Sequence, residues 1–234
     1  MDGTGSGGGD GVGAVIARMR EIGAALPAED GVARFNRVYL RVTELVAAHL
    51  AAGTFEDPAF VARLDEVFAG LYFANVDDGG ADPSWRPLFE CRRHRGVWNL
   101  QYVLAGMNAH INHDLALAVI ATCEERGVEP DDPPVHADFR RVNGLLAEVE
   151  AEVRREVEPE LLRLATREAE GLKHIVGSFS VARARDLAWF SVRSLWPIRH
   201  TGHPYRAAVG IMAESVGLAG RLLLTPVAPD GALL

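Results

Sequence analysis

Apolar residues recur at helical spacing along almost the whole chain, and no run alternates strictly between apolar and polar positions. The pattern predicts helices and no strand. A first helix runs from about Ala14 to Leu26 and stops before Pro27. A second opens near Asp30 and closes at Gly53, with Val32, Phe35, Val38, Tyr39, Val42, Leu45, Val46 and Leu50 as its apolar stripe. A third starts at Asp57-Pro58, an N-cap followed by proline at the first helical position. Its stripe is Phe60, Leu64, Val67, Phe68, Leu71 and Tyr72, and a loop is expected from Asn75 to Pro83. A short helical turn from Ser84 carries Trp85, Leu88 and Phe89. A long central helix covers about Val97 to Arg126 and closes at Gly127. Further helices are expected over Val135 to Val157, onward toward Lys173, from Ser180 to Trp196 and from Pro204 to Leu224. Short links between them predict an all-α fold, a single-domain compact bundle of about seven to eight helices.

The flanks read differently. Residues 1–13 are a glycine-rich leader with few side chains to bury, so disorder is expected there. Residues 225–234 hold two prolines and a glycine and read as a flexible tail. The expected domain is residues 14–224.

The central helix carries the most informative stretch, Asn108 to Asp114 (Asn-Ala-His-Ile-Asn-His-Asp), inside an otherwise apolar run. On a wheel of about 100° per residue, Leu100, Leu104, Met107, Ile111, Leu115 and Ala118 share one face. His110 and Asp114 border it as i and i+4 neighbours, close enough to bond each other or share a ligand. His113 falls further round, beside Gly106, whose missing side chain admits another helix or a small molecule. Asn108 and Asn112 point away from His110.

Three readings stand. The cluster is a satisfied polar network that pins helix packing, with a partner such as Arg185. Or His110 and Asp114, helped by His113, bind a divalent metal (zinc, manganese or iron), which needs ligands from another helix; His49, His174, His200 and His203 are the candidates. Or Asp114 orients His110 for metal-free acid–base catalysis.

Elsewhere plain roles come first. Asp138 reads as a cap or salt-bridge residue that could complete a polar site, with Asn143 near it. Arg185 and Trp189, one turn apart, suit a helix interface. Asp77, Asp78 and Asp82 resemble the aspartate-rich magnesium motif of terpene cyclases, but Gly79 and Gly80 make the segment a loop, and an acidic turn explains it.

Composition narrows the partners. Apolar residues make up 48% of 234, and the net charge is -8, which repels phosphate backbones and argues against nucleic acid. No basic amphipathic stretch suits a membrane surface, and no apolar run is long enough to span one. Two cysteines, Cys91 and Cys123, sit in helical stretches and read as reduced, buried thiols. With no signal-peptide pattern, a cytoplasmic protein is expected. Lys173 is the only lysine among many arginines, which points to a high-GC bacterium.

The segment Gly106 to Val119 resembles the hallmark of an uncharacterised, mainly actinobacterial, all-helical family, the domain-of-unknown-function family 5995. Arg34 to Glu44, Pro83 to Glu90, Asp138 to Leu146 and Arg185 to Trp196 are similar too. The resemblance implies an all-helical domain and weights Asn108, His110, Asn112, Asp114, Asp138, Asn143, Arg185 and Trp189 as a set; it brings no activity. The leading expectation is an enzyme acting on a small organic molecule between helices. In it His110, Asp114 and His113 do the chemistry, a metal-assisted hydrolysis or an acid–base cyclisation or isomerisation. Arg185 holds an anionic group and Trp85 or Trp189 walls the pocket. The alternative is a non-catalytic binding or interaction protein.

Overall fold

The computed structural model describes residues 7–146 and 180–226, and no strand occurs among them. The order is α1 (Gly7–Ala25), α2 (Gly31–Ala51), α3 (Pro58–Asp78), α4 (Arg86–Cys91), α5 (Asn99–Ala109), a π-helical turn (His110–Asp114) and α6 (Leu115–Arg126). A helical stretch over 133–146, here α7, follows. After the undescribed segment come α8 (Val181–Leu195), a 3-10 turn (Trp196–Ile198) and α9 (His203–Leu223). The expected helix toward Lys173, and His174 with it, lie outside the described residues.

Most ends fall where cap chemistry puts them. Asp30 accepts the amide of Val32, Asp57 that of Phe60 and Ser180 that of Arg183. Gly79 and Gly127 close α3 and α6 at φ 77° and 65°, a left-handed conformation that glycine adopts without strain. Two expectations need correction. Helix α1 already begins at Gly7, because its apolar stripe extends back one turn: Val12 is buried with Val15, Met19 and Ile22. Helix α3 runs on to Asp78, so Asn75 to Asp78 are helical. Within this acidic stretch Asp77 pairs with Arg18, Asp78 accepts the amides of Gly80 and Ala81, and Asp82 that of Ser84. The aspartates hold the turn together.

The central rod of α5, the π turn and α6 is covered on nearly every side. From Leu100 to Ile120 only Met107, Asn112 and Leu117 are less than fully buried. Helices α2, α4 and α9 pack on α5, and α3 and α8 pack on α6. A helix enclosed all round has no polar face to spare, so every polar side chain on the rod must find its partners inside the protein. The last turn of α9 is tied to the rod by Gln101, whose amide donates to the carbonyls of Leu223 and Thr225.

Gly106 shows how closely the rod is approached. A Cβ there would lie 2.4 Å from the Phe35 ring and 2.8 Å from Phe35 Cβ, so what the glycine admits is α2. Gly106→Ala forces α2 outward and is expected to cost about 2 kcal/mol, in the range of core overpacking. Urea unfolding checks this, and a midpoint equal to wild type would mean that Phe35 yields freely.

Candidate functional site

Asp114 is the hub. Its Oδ2 accepts the indole Nε1–H of Trp85 at 2.9 Å and lies 3.0 Å from His110 Nδ1. Its Oδ1 lies 2.9 Å from His113 Nδ1. Trp85, His110, His113 and Asp114 are all buried. The π turn makes the double contact possible. The amide of Leu115 bonds the carbonyl of His110, five residues back, so the turn is wider than in an α-helix. His110 reaches Asp114 across this turn, and His113 reaches it from the adjacent position.

The carboxylate fixes the tautomers. Burial alone would raise the Asp114 pKa, but hydrogen bonds from His110 and His113 and the attraction of both rings outweigh it, so the carboxyl sits below its ordinary value and is ionised. An ionised carboxylate only accepts. Both Nδ1 atoms therefore donate to it, and each neutral ring keeps its lone pair on Nε2. Among the described residues neither Nε2 has a hydrogen-bond partner, although both are buried.

The two rings are pushed apart in acidity. Burial is the largest influence on both. For His110 it prevails over Asp114, and the pKa falls. For His113 it is outweighed by Asp114 and by Asp82, 4.0 Å away, and the pKa rises. One imidazole is held neutral while its neighbour keeps a proton to higher pH, the division expected of a base and an acid.

The model of the family of unknown function DUF5995 matches residues 12–226. The chain belongs to this family. Searches of curated proteins and of solved structures gave no match. The match begins at Val12, the first described buried position of α1, and it includes the whole central rod.

In this DUF5995 chain the other expected site residues fall in four places. Asn108 and Asn112 stay with the rod: Asn112 Nδ2 donates to Asn108 Oδ1, and Asn108 Nδ2 to the carbonyl of Val216 on α9. Arg185 does not partner Asp114. Its Nε donates to Asn143, its Nη2 to the carbonyl of Phe139, and its guanidinium lies over the Phe139 ring. Trp189 lies beside them, stacked on His136 and tilted against Phe139. Burial lowers the Arg185 pKa to about 9. Asp138 accepts the amides of Glu56 and Asp57 and an Nη of Arg141, so it fastens α7 to the start of α3. Trp85, expected as a pocket wall, serves as a hydrogen-bond donor to Asp114.

The metal reading finds no ligand set here. Both lone pairs of Asp114 Oδ2 are taken by N–H donors, and among the described residues no group of three His, Cys, Asp or Glu is placed to share an ion. His49 bonds Thr54 and His200 faces Glu124.

Two residues of the site were not anticipated, Tyr39 and Asp65. The His110 ring lies flat on Phe68, with centroids 3.5 Å apart, and 4.4 Å from the Tyr39 ring; Phe35, Tyr72 and Trp85 complete the aromatic surround. Among the described residues Asp65 Oδ2 is buried and makes no hydrogen bond. Burial, and then the charge of Glu66, push the Asp65 pKa from 3.8 to about 7. An acid with a raised folded-state pKa stabilises the fold fully below its unfolded pKa, and that contribution is lost as pH rises through the folded value. Between pH 4 and 7 the wild type should therefore lose up to ~4 kcal/mol relative to Asp65→Asn. Denaturant unfolding at both pH values tests it, and parallel pH profiles would mean that Asp65 is ionised in the fold.

Proposed function

We propose that the chain is an enzyme that performs acid–base chemistry on a small organic molecule, with His110 as base, His113 as acid and Asp114 orienting both. One observation carries the reading: a single buried carboxylate takes the Nδ1–H of two histidines and leaves both Nε2 atoms buried and, among the described residues, unpartnered. A polar network kept only for packing pairs its buried atoms, because each unmade bond costs about 1–3 kcal/mol. A base held in one tautomer by a carboxylate, with its second nitrogen open, is the arrangement that proton abstraction needs. The π turn supports the reading, since such turns recur at functional sites. The reactions that fit are isomerisation, cyclisation or hydrolysis by general acid–base transfer. The partner is a small molecule, and the acidic chain disfavours nucleic acid. No described helix is long and apolar enough to cross a membrane. Cys91 and Cys123 are free, which fits a cytoplasmic setting.

The test pairs substrate discovery with a variant that keeps the scaffold. His110→Asn retains an N–H donor toward Asp114 and removes Nε2. Wild type and variant are incubated with a bacterial metabolite extract, and depletion is followed by mass spectrometry. The expected result is at least one compound consumed by wild type and untouched by a folded His110→Asn. Identical depletion profiles would sink the assignment of His110 as base.

A further inference from the structure

Helix α9 inverts the usual arrangement of a surface helix, in which the large apolar side chains face the core. Its buried positions are Ala213, Val216, Gly217 and Gly220, and only Val216 is large. Small residues stand there because α9 lies close on its neighbours. A Cβ at Gly217 would be 2.3 Å from the Pro83 carbonyl oxygen, and one at Gly220 would be 3.6 Å from the Pro87 ring. The large apolar residues point the other way: Ile211, Leu218 and Leu222 are 69%, 63% and 66% exposed. Among the described residues only Leu187 and Phe190, on α8, are also large, apolar and exposed. Ser215, whose hydroxyl donates to the Ile211 carbonyl, completes the row on α9. Residues 211, 215, 218 and 222 follow one another at the alternating intervals of a coiled-coil seam. Glu214 and Arg221, both exposed, border this seam on the same side.

We infer that this face pairs α9 with α9 of a second copy of the chain, antiparallel across a two-fold axis. Such an interface must be complementary to itself, and the row of side chains is. With the axis midway along the seam, Ile211 meets the partner's Leu222, and Leu218 meets the partner's Ser215, whose short side chain leaves room for it. Each contact then occurs twice. The bordering charges match in the same register: Glu214 stands beside the partner's Arg221, and Arg221 beside the partner's Glu214. A parallel pair has no such match, because Glu214 would face Ala219 and Arg221 would pass the end of the helix. Both charges are available. Among the described residues Glu214 makes no ion pair, and Arg221 makes one exposed bridge, to Glu90 at 2.7 Å, which leaves donors of the guanidinium to spare. A lipid surface suits the face less well. One acid and one base border the seam, where a helix lying on anionic headgroups needs a basic border. Three large side chains per copy belong at the small end of specific interfaces, so a dissociation constant of micromolar order is expected.

Sedimentation velocity of the full chain, from low micromolar to several hundred micromolar, tests the pairing. The weight-average mass is expected to rise from 25.3 kDa toward twice that value. Leu218→Glu sets a carboxylate in the seam of both copies and should keep the chain monomeric throughout. Glu214→Arg turns two attractions into repulsions and should weaken the dimer about tenfold. Adding Arg221→Glu to Glu214→Arg reverses both charges and should restore most of the affinity. All three variants change solvent-facing side chains, and circular dichroism checks that each is folded. A wild type that stays monomeric at every concentration overturns the proposal, and so does a dimer that survives Leu218→Glu. A charge-reversed double variant as weak as Glu214→Arg overturns the antiparallel register. A wild type that is monomeric in solution but floats with phosphatidylglycerol vesicles, where Leu218→Glu does not, assigns the face to a lipid surface and overturns the pairing.

Discussion

Asp114→Ala should remove roughly 3–5 kcal/mol of folding stability, because it strands the N–H groups of Trp85, His110 and His113 inside the rod's packing. No other described carboxylate has three buried side-chain donors trained on it. Asp114→Asn loses less, since its amide oxygen still accepts, but its NH2 then faces a donor. The two variants share a second effect. Without the fixed negative charge, nothing holds the proton on Nδ1 of either ring, and Asp82 alone is left to offset burial at His113. Its pKa, raised in the wild type, should fall. Urea unfolding gives the first quantity and histidine nitrogen-15 titration of Asp114→Asn the second. A loss under about 1 kcal/mol for Asp114→Ala would mean that water replaces the carboxylate and that the hub is open to solvent.

Asp138→Ala has the second largest expected effect, for a different reason. Asp138 is completely buried and holds two backbone amides of the α2–α3 link together with Arg141. Its removal leaves those amides unpaired and frees the start of α3, at a cost of roughly 2–4 kcal/mol. None of its hydrogen bonds reaches the His110–Asp114 cluster, so the tautomers and titration of both histidines should be unchanged. An Asp138→Ala protein with native stability, or one with altered histidine titration, would contradict this division between clamp and site. The comparison with Asp114→Ala separates two buried aspartates that look alike in sequence: one organises chain connectivity, the other organises imidazoles.

That pair also shows what the sequence made legible. Local signals served well. The caps at Asp30, Asp57 and Ser180 and the closing glycine at 127 act through their nearest neighbours, and they lie where the pattern puts them, whereas Gly79 closes a helix that runs past the expected start of the loop at Asn75. The polar run from Asn108 to Asp114 stood out because a buried rod cannot carry such residues idly. The π turn did not stand out. A wheel drawn with one period throughout places His113 away from Asp114, and nothing in the spacing announces the wider turn. In the pattern Tyr39 is one more apolar position of the α2 stripe, and nothing in the spacing shows that its ring meets His110. Asp65 is a signal that the spacing does carry. It lies on the same helical face as Phe68 and Tyr72, so a carboxyl was written into a buried stripe. Arg185 illustrates the opposite limit: its partners, Asn143 and the Phe139 carbonyl, are set by how α7 meets α8, which no local pattern encodes.

The π turn carries a further meaning in terms of insertion and deletion. A helix that closes one ring over five residues holds one residue more than an uninterrupted α-helix between the same two flanks. A chain one residue shorter between Ala109 and Leu115 could keep α5 against α2 and α6 against α3 and α8, with both flanks in their present phase. What it would lose is the geometry that lets one carboxylate face two imidazoles. The extra residue is therefore a property of the site and not of the bundle, and a family member lacking it would share this architecture while lacking the chemistry proposed for it.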